Sequence, residues 1–278
     1  MPPLMPHPFG KSQHQQLAQI QGVCLDIDDT LSTEGQLTAE AYGALWKLKE
    51  AGFYVVPITG RPAGWCDLIA RFWPVDAVVG ENGAFTFFVD QSGSDAHTVK
   101  RRLDTPKGDS DSVLQQKLKD LGKEIQILFP QSRPASDQAY REFDLAIDIC
   151  EDVSPWPEDE VQRLLQFCRD RGAHAKLSSI HVNVWFGDYD KKKGFDHWLS
   201  QAQNRSAPPI ESWLYIGDSP NDEPLFATFK YSVGVSNLKK YFDRLQFFPT
   251  WITQRECGAG FVEMAERLIE SRLRGRGA

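Results

Sequence analysis

Two carboxylates near the start of the chain are the first residues whose spacing could support chemistry. Asp26 and Asp28 end an apolar run that begins at Val23. Because side chains alternate across a strand, Asp26 and Asp28 would share one face, whereas Asp29 would point to the other. Two carboxylates this close repel each other unless a cation lies between them or one of them holds a proton. The same residue types also suit a turn, so this stretch alone leaves a catalytic and a structural interpretation open.

Three further polar groups follow predicted strands or begin a helix later in the chain. They are Thr59-Gly60, a lysine near position 193, and the segment from Asp218 to Asp222. In open α/β sheets, ligands bind at the carboxyl ends of the strands, so these groups should meet Asp26 and Asp28 there. Carboxylates, a hydroxyl and an ammonium suit Mg²⁺, which prefers oxygen ligands, together with a phosphate.

The rhythm of strands and helices predicts the elements that position these groups. Strands and helices alternate in the first and last thirds of the chain, which is typical of βαβ units with a parallel sheet. Between Thr59 and Lys193 the chain is much longer than one crossover needs. We therefore predict an α/β core with an inserted α+β domain. The predicted parts are a frayed tail at 1–21, the core at 22–88 and 188–278, and the inserted domain at 89–187.

Four segments of the chain resemble the four motifs of the haloacid dehalogenase (HAD) superfamily, and they occur in the family's order. The segments are Asp26-Ile27-Asp28-Asp29-Thr30, Thr59-Gly60-Arg61-Pro62, Lys193-Gly194 and Gly217-Asp218-Ser219-Pro220-Asn221-Asp222. The aspartate two residues after Asp26 resembles the phosphatase and phosphomutase branch. The segment Gly80-Glu81-Asn82-Gly83-Ala84 is similar to the Cof-like subfamily IIB, which has a large C2-type cap and includes sucrose-phosphate, trehalose-phosphate and mannosyl-3-phosphoglycerate phosphatases.

This resemblance implies a role for each matching residue. Asp26 would be the nucleophile that forms an aspartyl-phosphate, and Asp28 would be the general acid and base. The residues expected at the phosphate are Thr59, Gly60, Lys193 and Asn221, and those expected at Mg²⁺ are Asp26, Asp28 through its carbonyl, and Asp218. Asp222 would orient Lys193 or the metal-bound waters. Lys193 is preferred over Lys191 and Lys192 because Gly194 follows it and a helix is predicted to start there.

Residues outside the four motifs are weaker candidates. Glu81 and Asn82 could line the cap hinge or the substrate entrance, and Arg61 is expected to be a structural ion-pair partner. Three polar residues near the predicted hairpin of the inserted domain could reach the substrate, or could form the exposed face of an alternating strand. These residues are Ser178, His181 and Asn183.

Composition limits the classes of function. The chain has 278 residues and a formal net charge of -7, which argues against general nucleic-acid binding. It contains no apolar run of membrane-spanning length. Its five scattered cysteines fit a reduced, cytoplasmic setting.

These observations together predict a Mg²⁺-dependent phosphatase that acts on a small phosphorylated metabolite, in particular a sugar phosphate. Two alternatives stay open at this point. One is a phosphomutase of the same superfamily, and the other is a catalytically weak sugar-phosphate-binding protein. The sequence does not determine the oligomeric state.

Overall fold

The computed structural model describes residues 5–10, 14–90, 98–104, 111–202 and 207–276. Its central sheet has six strands, and all the pairs between neighbouring strands are parallel. In spatial order they are β1 (His7–Pro8), β13 (Trp251–Ile252), β12 (Tyr231–Gly234), β11 (Trp213–Gly217), β2 (Gly22–Leu25) and β3 (Tyr54–Pro57). The predicted parallel α/β core is therefore confirmed.

A three-stranded extension continues the core beyond β3. Strands β4 (Ala77–Gly80), β5 (Phe85–Asp90) and β6 (Thr98–Leu103) pair antiparallel in that order. A parallel bridge between Ile58 and Val79 joins β4 to the end of β3. Strand β6 pairs with β5, so this antiparallel sheet continues past residue 89, where the inserted domain is predicted to begin.

Helices cover both faces of the central sheet. On one face, α2 (Ala39–Glu50), α3 (Ala63–Phe72) and α8 (Cys257–Arg276) pack against the strands; on the other, α6 (Lys191–Ala202) and α7 (Glu223–Thr228) do so. The Thr38 hydroxyl accepts a hydrogen bond from the Ala41 N–H at 3.2 Å, which makes Thr38 the N-cap of α2. None of the helices within the described ranges is long and apolar enough to cross a membrane.

The inserted domain is an α+β unit with an antiparallel sheet. Its strands are β7 (Arg133–Pro134), β8 (Asp144–Asp148), β9 (His174–Leu177) and β10 (His181–Trp185), in the order β7-β8-β10-β9. Helices α4 (Asp111–Leu128) and α5 (Glu158–Asp170) cover the apolar face, where Val182 and Val184 are fully buried. Side chains alternate along β10, so His181 and Asn183 lie on the opposite face. We call this unit the cap.

The amino-terminal segment differs from the predicted frayed tail. Strand β1 pairs with β13, and the short helix α1 (His14–Leu17) contacts α8. The residues Phe9, Leu17 and Ile20 are at most 1% exposed. These apolar side chains bury enough surface to hold the segment against the core.

Candidate active site

Neighbouring strands β2 and β11 bring two of the predicted carboxylates together. Leu25 is in register with Ile216, and the Asp26 N–H donates to the Ile216 carbonyl at 2.9 Å. Asp26 and Asp218 thus leave the sheet side by side at its carboxyl edge. Within the described residues, Asp26, Asp218 and Asp222 each offer a carboxylate oxygen within 4.8 Å of the other two, and all three residues are buried.

The Asp222 carboxylate is already used by protein donors. It accepts hydrogen bonds from the Tyr215 hydroxyl at 2.5 Å and from the Asp218 and Ser219 N–H groups at 3.0 and 3.2 Å. It also accepts from Lys191 at 2.8 Å. A Cβ at Gly217 would lie 2.4 Å from Asp222 Oδ2, so only glycine permits this approach. Asp222 therefore positions Lys191 and the loop.

The lysine at this site is Lys191, and the choice of Lys193 is corrected. Lys191 Nζ lies 2.8 Å from Asp26 Oδ1 and 3.4 Å from Asn221 Oδ1, and its side chain is 3% exposed. Lys193 is 42% exposed and its ammonium pairs with Asp188 at the surface.

The register of α6 explains the difference between the two lysines. Helix α6 begins at Lys191, and Asp190 accepts the Lys193 N–H at 2.8 Å as its cap. Residues three apart share a helix face, so Lys191 shares the face of Gly194. A Cβ at Gly194 would lie 2.7 Å from Gly83 Cα, which marks that face as buried. Asp190 as an N-cap and Gly194 as a packing glycine are the signals that could have identified Lys191 from the sequence.

Burial controls the charges of this cluster. It raises the pKa of Asp26 to about 7, with Asp222 and Asp28 adding to the rise and Lys191 opposing it. Burial, Asp222 and Asp26 likewise raise the pKa of Asp218 well above its ordinary value. Burial disfavours the Lys191 ammonium, but Asp222 and Asp26 outweigh this effect and raise its pKa. Three buried acids facing one ammonium would carry an excess of negative charge if all of them were ionised.

A divalent cation fits this excess. Asp26 and Asp218 are the carboxylates that could hold it, because Asp222 already accepts four hydrogen bonds. Asp218 receives only longer contacts, from Thr30 Oγ1 at 3.3 Å and Asn237 Nδ2 at 3.4 Å. Hard, anionic oxygen ligands of this kind suit Mg²⁺.

The Asp28 carboxylate is joined to the cap through the Arg61 guanidinium. Its two oxygens accept from the Arg61 guanidinium at 2.7 to 3.1 Å in a bidentate arrangement. Arg61 also donates to Asp137 at 3.3 Å and to Glu151 at 2.8 Å, both from the cap, and stacks on Trp65. The prediction of Arg61 as an ion-pair partner is confirmed, but the sequence did not reveal that its partners include Asp28.

Thr59 and Gly60 lie at the same edge of the sheet, directly after β3. Thr59 is fully buried, and its hydroxyl accepts from the Arg61 N–H at 3.0 Å. The Gly60 carbonyl accepts from Arg141 of the cap at 2.8 Å. A Cβ at Gly60 would lie 3.4 Å from the amide groups of Asn82 and Asn183, so this turn is in close contact with both domains.

The other predicted substrate residues lie either in the core, at Glu81 and Asn82, or in the cap, at Ser178, His181 and Asn183. Glu81 is fully buried, and its carboxylate accepts hydrogen bonds from the backbone N–H groups of Ala63 and of residues 142–144. The Asn82 amide donates to the Asp144 carboxylate. Both residues therefore connect the core with the cap. The Ser178 hydroxyl accepts the His181 N–H at 2.9 Å and serves the turn between β9 and β10, which differs from the expected substrate contact.

Of the three predicted cap residues, His181 and Asn183 face the core. His181 Nε2 lies 2.8 Å from Glu151 Oε2, and Asn183 donates to Asp144 Oδ2 at 3.1 Å. Glu151 and Asp137 were missed by the sequence analysis, because they lie in loops without a motif.

One family model matches part of the chain. Residues 23–126 match the haloacid dehalogenase-like hydrolase family. Among curated proteins, no sequence matches significantly.

Solved structures share the fold over nearly the whole chain. The C-terminal domain of trehalose-6-phosphate phosphatase from C. albicans superposes with a TM-score of 0.69 at 14% identity, covering 96% of this chain and 99% of that one. A HAD/COF-like hydrolase from Plasmodium vivax gives 0.65 at 16% identity, covering 94% and 99%. The sucrose-phosphatase from Synechocystis, solved with sucrose and phosphate, gives 0.59 at 16% identity, covering 90% and 98%. These similarities extend to the cap as well as the core.

Proposed function

We propose that this chain, of which residues 23–126 match the haloacid dehalogenase-like hydrolase family, is a Mg²⁺-dependent phosphatase that hydrolyses a small phosphorylated metabolite through an aspartyl-phosphate. The observation that carries the proposal is the position of Asp26. Its carboxylate lies between the Lys191 ammonium at 2.8 Å and the Asp218 carboxylate, with Asp28 two residues further along. This arrangement supplies a nucleophile, a cation for the phosphoryl oxygens and an adjacent acid.

In this mechanism Asp26 attacks phosphorus and forms the aspartyl-phosphate. Asp28 gives a proton to the leaving oxygen and later takes one from the attacking water. Lys191, the Thr59 hydroxyl and the Gly60 N–H hold the phosphoryl oxygens, while Asn221 and Asp222 hold Lys191. Asp26, Asp218 and the Asp28 carbonyl would hold Mg²⁺, which would supply positive charge next to the phosphoryl oxygens.

The polar face of the cap supports a sugar phosphate as the substrate. His181, Asn183 and Glu151 present imidazole, amide and carboxylate groups towards the core. Such groups suit a leaving group that is rich in hydroxyls. Solved structures with the same fold include sucrose- and trehalose-phosphate phosphatases, which is consistent with this substrate class.

Hydrolysis of p-nitrophenyl phosphate, with and without Mg²⁺, tests the proposal. Asp26→Asn should lower kcat at least about 10³-fold, because the nucleophile is lost. Asp29→Asn is the matched control: it makes the same change in the same loop, and Asn tolerates the left-handed backbone (φ 52°) of this position. Unchanged Mg²⁺-dependent hydrolysis in Asp26→Asn would contradict the mechanism. Phosphate release without a bisphosphate activator separates a phosphatase from a phosphomutase.

A further inference from the structure

A charged network links the proposed acid to the cap. Two guanidinium groups, those of Arg61 and Arg141, contact four carboxylates. The carboxylates are Asp28 and Glu151 on Arg61, Asp144 on Arg141, and Asp137 on both, at distances of 2.7 to 3.3 Å. Acidic groups therefore outnumber basic groups in this network. Because Asp28 must touch the leaving oxygen in the proposed mechanism, the network lies beside the leaving group.

Glu151 is the cap carboxylate of this network that keeps a solvent-accessible face. Its side chain is 24% exposed, compared with 6% for Asp137 and complete burial for Asp144. Each of its oxygens has one partner, Arg61 Nη2 at 2.8 Å and His181 Nε2 at 2.8 Å, which leaves further acceptor positions. The close contact with His181 and the charge of Arg61 lower the pKa of Glu151 to about 2, against the effect of burial, so Glu151 is ionised at neutral pH.

Cations on the same face of the cap sheet lie further out. Lys176 is opposite Asn183 on β9, and Arg133 is opposite Asp148 on β7. Strands β7 and β9 are the two edges of this sheet, and both side chains are exposed. A long anionic substrate could reach Lys176, whereas a charge close to the ester oxygen would meet the network around Arg61, in which four carboxylates outnumber two guanidinium groups.

We propose that Glu151 is a specificity residue that selects a leaving group which is neutral and carries a hydroxyl donor close to the ester oxygen. The inference rests on the proposed phosphatase function and narrows its substrate class. A hydroxyl can donate to Glu151, whereas a carboxylate or second phosphate would place like charges together in a poorly solvated site. The same repulsion disfavours a sugar bisphosphate, which a phosphomutase would need.

Two three-carbon esters with the same skeleton test this selectivity. Glycerol 3-phosphate ends in a CH₂OH group where 3-phosphoglycerate carries a carboxylate, so the two esters differ in charge at one position. We expect kcat/KM for glycerol 3-phosphate to exceed that for 3-phosphoglycerate by at least about tenfold, as a like charge at close range requires. If turnover is too slow, competitive inhibition of p-nitrophenyl phosphate hydrolysis gives the same ratio as relative Ki values.

Variants locate the origin of the selectivity. Glu151→Gln keeps the shape and removes the charge, so the ratio should fall at least about threefold. Asp159→Asn removes a charge from an exposed position at the start of α5 and should leave the ratio unchanged. Glu151→Asp keeps the charge and should preserve most of the ratio, which guards against a Glu151→Gln variant that folds poorly.

The outcomes separate this inference from the function on which it rests. Equal or better use of 3-phosphoglycerate by the wild type, or an unchanged ratio in folded Glu151→Gln, would overturn the inference alone. Failure of the wild type to hydrolyse p-nitrophenyl phosphate with Mg²⁺ would instead overturn the proposed phosphatase function.

Discussion

The core half and the cap half of the site are built in different ways. In the core, Asp26 and Asp218 end neighbouring strands, and the pairing of β2 with β11 fixes their separation. In the cap, Glu151 and Asp137 lie in loops, and their contacts with the core pass through the Arg61 guanidinium. Strand register thus positions the reacting groups, whereas side-chain ion pairs position the groups that would meet the leaving group.

This difference separates chemistry from specificity in physical terms. Register is maintained by many backbone hydrogen bonds, so one substitution does not shift it. An ion-pair network depends on each of its members, since removing one partner leaves a buried charge uncompensated. Loop residues of the cap can therefore change with the substrate while the core geometry is kept. Three measurements could break or sharpen this comparison.

The largest effect is expected from Lys191 in the core half. Lys191→Met should lower kcat about 10²- to 10³-fold, because a preorganised cation at the phosphoryl oxygens is lost. Lys193→Met, two residues away in the same helix, should stay within about twofold of the wild type, since Lys193 pairs with Asp188 at the surface. Steady-state hydrolysis of p-nitrophenyl phosphate measures both. An equal loss of kcat in the two variants would show that the buried position of Lys191 does not contribute to catalysis.

An intermediate effect is expected at the junction of the two halves. Glu81→Ala should destabilise the protein by about 3 kcal/mol, because four buried or half-buried N–H groups lose their acceptor. Glu142→Ala is the control, since Glu142 makes an exposed ion pair with Arg101 and should cost less than about 1 kcal/mol. Urea unfolding followed by circular dichroism gives both values. A Glu81→Ala variant as stable as Glu142→Ala would mean that the cap does not depend on this anchor.

The smallest effect expected is a pH-dependent stabilisation by Mg²⁺. The pKa of Asp26 is raised to about 7 without metal, so ionising Asp26 costs stability as pH rises through this value. Mg²⁺ binds the ionised form, so its stabilising effect should grow with pH. We expect 5 mM Mg²⁺ to raise Tm by roughly 2 to 4 °C more at pH 8 than at pH 6. Asp218→Asn should abolish this difference, and a shift independent of pH in the wild type would argue against a role of Asp26 in binding.

The core was the part most accessible from sequence. Apolar runs ending in Asp26, Thr59 and Asp218 predicted both the strands and the edge at which these residues meet. The lysine was misplaced because a run of three lysines has no internal signal for the helix register, which depends on Asp190 and Gly194. The charge pattern alone does not show which of the three lysines lies on the face of α6 that packs against the core.

The boundaries and the cap contacts were less accessible. Strand β6 is largely exposed and lacks an apolar stripe, so the sequence did not distinguish it from a strand of the inserted domain. The amino-terminal segment is held against the core by Phe9, Leu17 and Ile20, which are far enough apart in sequence that they form no apolar run. The Arg61 network joins residues up to 90 positions apart, a distance at which side-chain pairing leaves no local pattern.

Strand β1 has a consequence for how this protein can be handled. It shields the outer side of β13, so an amino-terminal deletion that removes Phe9 would leave Trp251 and a row of backbone groups uncovered. Unprotected sheet borders recruit other chains. Such a truncated protein should aggregate at high concentration, although Asp26 and Asp218 follow β2 and β11 and not β13. A tag or fusion partner is therefore better attached at the carboxyl terminus.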